Sequence, residues 1–184
     1  MTILVNLLAG PGAGKSSLMH ETIALCKWRG IVAEGAFEYA KDVVWEGRIG
    51  LLSNPLYIFA KQEKRIRQLW GKVDVVITDS PLLLSVVYAE GSDKEGMARL
   101  VEEATSRYQP TLNYYVVRQK PYSQAGRIQT EQEARALDDV VARVLNHTPY
   151  KSVVGREGEG QVILRDIQAA LRKATIQQLY EVEQ

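Results

Sequence analysis

The sequence predicts an α/β fold of three layers: a central parallel sheet of about five strands with helices on both faces. Three observations predict it. Apolar, β-branched runs recur along the chain, and amphipathic helical stretches separate them. The first run ends in the glycine-rich turn Ala9-Gly10-Pro11-Gly12-Ala13-Gly14-Lys15-Ser16 and passes directly into a helix. A later run, residues 73–79, closes on a carboxylate, Asp79. Ligands of such sheets gather at the carboxyl ends of the strands.

Residues 2–8 form the first strand, apolar enough to be buried on both faces. A helix over 16–28 follows and stops before Gly30, a residue that suits the position just past a helix. Residues 31–37 make a second, weaker strand. A helical stretch then starts at Glu38-Tyr39-Ala40-Lys41-Asp42 and breaks near Ser53-Asn54-Pro55. In the next helix, 56–70, Leu56, Phe59, Ile66 and Leu69 share one face, and Lys61, Gln62, Lys64, Arg65 and Arg67 lie on the other. Residues 73–79 are the clearest later strand. Short helices over 81–88 and 94–108 lead to a fourth strand at 111–117. The polar segment 118–130, with Pro121 and Gly126, is expected to be mobile and to act as a lid. A helix over 130–145, an edge strand at 152–155, a turn at 157–160 and a closing helix at 163–181 complete the chain.

With 184 residues the chain is expected to form one domain with a sizeable core. Apolar residues make up 46%, charged residues 24%, and the net charge is +1, so no global charge draws it to nucleic acid or membrane. Cys26 is the only cysteine, which excludes an intrachain disulfide and fits a reducing compartment. One cysteine and two distant histidines, His20 and His147, argue against structural zinc. The first apolar run is short, has no basic preface and leads into the glycine turn, so it is not a signal peptide. No apolar stretch reaches membrane-spanning length. A cytoplasmic location is expected, and monomer and dimer both stay open.

A strand, a glycine-rich turn and a helix form a phosphate-binding loop. Gly12 and Gly14 allow backbone conformations that point successive N–H groups at phosphate oxygens. The helix start adds partial positive charge and unpaired donors. The nucleotide-binding set is Gly10, Pro11, Gly12, Ala13, Gly14, Lys15, Ser16 and Ser17. Lys15 supplies full charge to the β- and γ-phosphates, and Ser16 is placed to ligate Mg²⁺. The first position of the strict G-x-x-x-x-G-K-[ST] pattern is Ala9, which a tight junction tolerates. Asp79 is expected to hold Mg²⁺ with Ser16, or else to cap the following helix. Glu38 or Asp42 could handle an acceptor proton. Arg118 and Arg127 flank the lid, where an arginine stabilises a transferring phosphoryl group. Gln62 can pair with a base edge, and Tyr39, Trp45, Tyr57 and Phe59 could stack on one.

A regulatory GTPase requires D-x-x-G and N-K-x-D motifs. Asp79 is followed by Ser80-Pro81-Leu82, and N-K-x-D is absent. A mechanical ATPase of the AAA type calls for a longer module with a helical subdomain, which this chain has little length to build. A small kinase needs only a phosphate loop, a carboxylate, a base-reading helix and an arginine lid. Residues 10–16, the run from Glu38 to Asp42, Gln62, residues 75–79 and the Arg118/Arg127 segment resemble the nucleoside and nucleotide kinase group of P-loop proteins. The Glu38-Tyr39 stretch and the Asp79 strand end are similar to the ribosylnicotinamide kinase domain. The compact form with Asp79-Ser80-Pro81 resembles the bacteriophage kinases of the thymidylate-kinase group, some of which phosphorylate hydroxymethyluracil in DNA. The thymidylate-kinase D-R-[YH] triplet is absent.

That resemblance implies an ATP- and Mg²⁺-dependent kinase acting on a nucleoside-type hydroxyl, most specifically hydroxymethyluracil in phage DNA, in a host cytoplasm if the source is viral. Glu38, Tyr39, Gln62 and Arg65 are its expected acceptor contacts, and the basic face 61–67 its approach surface for DNA. A free nucleoside or deoxynucleoside monophosphate is the alternative acceptor, and a non-catalytic, nucleotide-gated interaction module the alternative role.

Overall fold

The computed structural model describes residues 1–91 and 93–182. Its sheet has five parallel strands: β1 (Ile3–Leu8), β2 (Ala33–Ala36), β3 (Val75–Thr78), β4 (Thr111–Val117) and β5 (Lys151–Val154), in the spatial order β2-β3-β1-β4-β5. Seven helices pack around it: α1 (Lys15–Trp28), α2 (Tyr39–Trp45), α3 (Pro55–Arg67), α4 (Leu84–Tyr88), α5 (Asp93–Ser106), α6 (Glu131–Val144) and α7 (Gly160–Val182). The three-layer α/β arrangement is the expected one.

β1 shows why the sheet is central. All six of its residues are buried, and successive side chains go to opposite faces. Ile3, Val5 and Leu7 join a core with Leu18 and Met19 of α1 and Ile163, Leu164 and Ile167 of α7. Leu4 faces Phe59 and Ile66 of α3 and Met97 and Val101 of α5, and Leu8 meets Val141 of α6. A strand coated on both faces must be apolar throughout, as this one nearly is.

Several elements are shorter than their sequence pattern suggested, three of them for reasons the structure makes plain. β2 bonds only to β3 and pairs over four residues, so its flanks stay outside the ladder. The stretch after Glu38 breaks early: Gly47 takes φ +70°, ending α2, and a 3₁₀ turn covers Ile49–Ser53. Asn54 then caps α3, accepting from the Tyr57 amide, with Pro55 in the first turn. Pro81, Leu82 and Leu83 form a turn ahead of α4, in which the Leu84 amide donates to the Pro81 carbonyl. Residues 118–130 contain no helix or strand, and Thr130 and Glu133 form a capping box that starts α6. Among the described residues no helix is long and apolar enough to cross a membrane.

Asp166 of α7 ties three elements together. It accepts from the Tyr114 hydroxyl of β4 at 2.7 Å and pairs with Lys151 of β5 at 2.7 Å. Burial opposes its charge, but the bonds from Lys151 and Tyr114 outweigh it and hold the carboxyl below the usual aspartate range. This depressed value stabilises the fold above the ordinary aspartate range, and the contribution is lost as pH falls through the folded value. Asp166→Asn is expected to cost about 1–2 kcal/mol at about pH 7 and much less at about pH 3, compared by urea unfolding at the two values.

Candidate functional site

The site begins where β1 runs into α1. Gly12 and Gly14 sit at φ +78° and +112°, and Gly14 starts α1 with no side-chain cap, so first-turn amides stay open to an anion. Lys15 closes the loop on itself: its Nζ donates to the carbonyls of Ala9 (2.8 Å) and Gly10 (2.9 Å). Burial pushes the Lys15 ammonium below the usual lysine range, against the pull of Glu38, Asp79 and Asp138. Ala9 is accommodated, as expected. The position that cannot carry a side chain is Gly10, where a Cβ would lie 2.4 Å from the Ala134 carbonyl.

Asp79 follows β3, the neighbour of β1. Its Oδ2 accepts from the Ser16 hydroxyl at 2.5 Å and its Oδ1 from the Glu38 amide at 3.0 Å. It caps no helix, because α4 starts only at Leu84. Asp79 is 3% exposed and pairs with no cation within ion-pair distance. A buried carboxylate with no direct ion pair among the described residues, beside a hydroxyl and an anion-binding loop, is a donor set that suits a hard divalent cation such as Mg²⁺. Among the described residues no three His, Cys, Asp or Glu side chains cluster to hold a metal, so a cation held by Ser16 and Asp79 would take its other ligands from phosphate oxygens and water.

Glu38 stands before α2 and makes no capping bond. Burial raises its carboxyl above the usual range. Lys15 pulls it back, Asp79 pushes it up, and Lys41 and Arg127 pull it down again. It opens into a cavity of about 410 Å³ that also takes in Gly12, Gly14, Lys15, Ser16 and Ser17. Ala40, Val44, Leu52, Ile58 and Leu84 supply apolar lining, and Tyr88, Glu90, Lys41, Lys120 and Arg127 bring polar groups. Lys120 also reaches across to the Ser17 hydroxyl at 3.1 Å.

Several expected residues stand elsewhere. Asp42 does not line the cavity. It pairs with Arg65, whose guanidinium also donates to the Phe37 carbonyl and lies over the Tyr39 ring, so both are committed to the outer face of α3. Gln62 borders the cavity, but its amide is engaged. Oε1 accepts from the Tyr39 amide (2.9 Å), and Nε2 donates to the Ala36 carbonyl (3.2 Å) and Thr78 Oγ1 (3.3 Å). It braces the turn after β2 and has no free edge for a base. Tyr39 is buried against Tyr57, and Phe59 is core. Trp45 is 64% exposed, with its indole against Gly126. None of the four aromatic residues lines the cavity.

The two arginines separate. Arg127 lines the cavity, held by the carbonyls of Ser123 and Ala125 and stacked over Tyr122. Arg118 is 6% exposed and lies behind the loop. It pairs with Asp138 of α6 and donates to the Pro11 carbonyl at 2.8 Å. It is a loop contact and not a lid cation. Asp138, which also accepts from the Gly10 amide at 2.7 Å, is the main residue the sequence reading missed. Its signal was present: Ala134, Asp138, Val141 and Leu145 fall on one helical stripe, and an acid among buried apolar positions has a partner to satisfy.

A phosphate loop at the end of a central parallel strand, facing an aspartate from the adjacent strand, defines a nucleotide-binding P-loop NTPase fold. A family model described as an AAA domain matches residues 4–161, and the chain belongs to that family. This corrects the expectation that set AAA-type modules aside: the match runs from β1 to the start of α7, within the length this chain has. A crystal structure described as NadR protein in complex with NR superposes with a TM-score of 0.65 at 18% identity, over 86% of this chain and 47% of that one. The chain thus spans less than half of that protein, and the likeness is one of fold. No curated protein matches the sequence.

Gly155, just past β5, backs the loop: a Cβ there would sit 1.9 Å from the Ala13 carbonyl. Gly155→Ala is expected to lower stability by about 1–3 kcal/mol and to weaken triphosphate binding together with it, measured by thermal unfolding and calorimetry.

Proposed function

We propose that this protein is an ATP- and Mg²⁺-dependent kinase that transfers the γ-phosphoryl group to a hydroxyl of a nucleoside-type acceptor. One observation carries the reading. The uncommitted carboxylate of Glu38 and the phosphate loop open into the same cavity of about 410 Å³, which apolar side chains of α2, α3 and α4 also line. An ATPase that uses water needs no such chamber, and the volume suits one small organic molecule.

In this reading Lys15 leaves its two carbonyls for the β- and γ-phosphates, and the loop amides from Gly12 to Ser17 hold the rest of the triphosphate. Ser16 and Asp79 hold Mg²⁺, which when bound neutralises charge on the phosphate oxygens. Glu38 takes the proton of the acceptor hydroxyl as its oxygen bonds to the γ-phosphorus. The bond from that phosphorus to the β,γ-bridging oxygen breaks, and ADP leaves. Arg127 covers the equatorial oxygens, and the 118–130 segment acts as the lid.

The finer reading, transfer to the hydroxymethyl group of hydroxymethyluracil in DNA, is supported by the sequence resemblance. It requires a base extruded from the duplex into the cavity. A free nucleoside or deoxynucleoside monophosphate is the second reading, and the basic face of α3 favours it. That face lies outside the cavity, and two of its four cations are neutralised, Arg65 by Asp42 and Arg67 by Glu63. The NadR structure, which holds NR, supports a small acceptor on this fold.

The test offers labelled ATP to nucleosides, monophosphates and hydroxymethyluracil-containing DNA. One of them is expected to be labelled; ATP binding with no labelled acceptor would leave only a nucleotide-gated module. Lys15→Ala is expected to abolish transfer with the fold intact, and Glu38→Gln to lower kcat by about 10²–10⁴-fold with ATP affinity kept. If DNA is the acceptor, Lys61→Gln with Lys64→Gln should flatten the salt dependence of DNA binding; an unchanged slope favours the free acceptor.

A further inference from the structure

We infer that Asp138 of α6, acting with Arg118, is a positioning residue that orients two peptide planes of the phosphate loop for the donor triphosphate. The inference rests on the reading that this loop binds the donor. In a planar trans peptide the C=O and N–H point in opposite directions, so fixing one fixes the other. In the Ala9–Gly10 peptide the carbonyl is held by Lys15 at 2.8 Å and the amide by Asp138 Oδ1 at 2.7 Å, on opposite sides. In the Pro11–Gly12 peptide the carbonyl is held by Arg118 Nη2 at 2.8 Å. The Gly12 amide therefore faces away from Arg118; Gly12 borders the cavity, and among the described residues this amide makes no hydrogen bond.

Arg118 can do this because Asp138 grips it twice, Nε to Oδ2 at 2.8 Å and Nη2 to Oδ1 at 3.2 Å. Nη2 also lies 3.5 Å from the Ala134 carbonyl. Asp138 is thus the hub, with one oxygen shared between the loop amide and the guanidinium. The absence of a side chain at Gly10 lets α6 come this close, since a Cβ would meet both the Ala134 carbonyl and Asp138 Oδ1.

Stability alone does not account for the pair. Burying two charges roughly cancels their attraction, and Arg118 Nη1 is buried with no hydrogen-bond partner among the described residues. That unpaired donor lies beside Gly12, 3.2 Å from the position of a Cβ there, and adds positive charge behind the loop. An arrangement that costs a buried unpaired donor, while fixing two loop peptides, is what orienting those amides requires.

The test uses the full chain and Mg-ATP as the probe, with calorimetric affinity and thermal unfolding measured on the same samples. Asp138→Ala and Arg118→Met are each expected to raise the Kd for ATP about tenfold. The double variant is expected to be no weaker than Asp138→Ala alone, because Arg118 acts through Asp138. Asp138→Asn keeps an acceptor for the Gly10 amide and should recover part of the loss; it also serves if Asp138→Ala does not fold. A folded Asp138→Asn and Arg118→Met that bind ATP within about twofold of the parent, whatever their melting temperatures, would overturn the inference. A parent chain that binds no ATP would overturn the proposed function as well, so the two failures are distinguishable.

Discussion

The contact on which the site depends is the 2.5 Å hydrogen bond from Ser16 to Asp79, two residues 63 positions apart in the chain. It exists because β1 and β3 are neighbours in register, so that the end of β3 lies level with Asn6, two residues short of the end of β1. Neighbouring strands lie about 4.8 Å apart, and one strand between them would double that spacing and break the direct bond. The next neighbour, β2, ends level with β3, Ala36 lying opposite Thr78, and this brings the Glu38 amide onto the other Asp79 oxygen. Three strand ends side by side thus present a carboxylate, a second carboxylate and the phosphate loop in that order. The sheet order, more than any single residue, sets the chemistry available here.

What the sequence disclosed follows from what kind of information it holds. Apolar runs and glycines are local, and β1, β3, β4 and the loop could be read from them, with the Thr111–Val117 bounds matching to the residue. Pairing is not local. The four-residue length of β2 is set by its ladder to β3, which no pattern within 31–37 records. The periodicity of α3 showed which face was apolar, but not that Gln62 would be spent on Tyr39 and Ala36, or that Arg65 would turn to Asp42. Glu38 and Asp42 looked equivalent in the sequence. They separate only because Glu38 precedes the helix with its carboxylate uncommitted, while Asp42 meets an arginine from α3. Arg118 and Arg127 likewise flank one segment, yet the first is the residue after the last β4 position and is drawn behind the loop.

The family match ends at residue 161, and α7 begins at Gly160. Even so, Ile163, Leu164 and Ile167 fill the core against β1 and α1, and Glu21 of α1 accepts from the amides of Gly158 and Gly160 at its start. The helix closes one face of the sheet that holds the phosphate loop, and that face has no other long helix besides α1. Family membership here describes the loop and its strands, whereas the burial that keeps them in place draws on residues beyond the matched range.

Gly155 pressed against Ala13 has a consequence for the order of events in synthesis. The phosphate loop is translated before Arg118, Asp138 and Gly155, the residues that hold its backbone. A nascent chain still lacking β5 has the motif and not its mould. Competence to take up a nucleotide therefore arrives only after Gly155 has left the ribosome, well behind the motif itself.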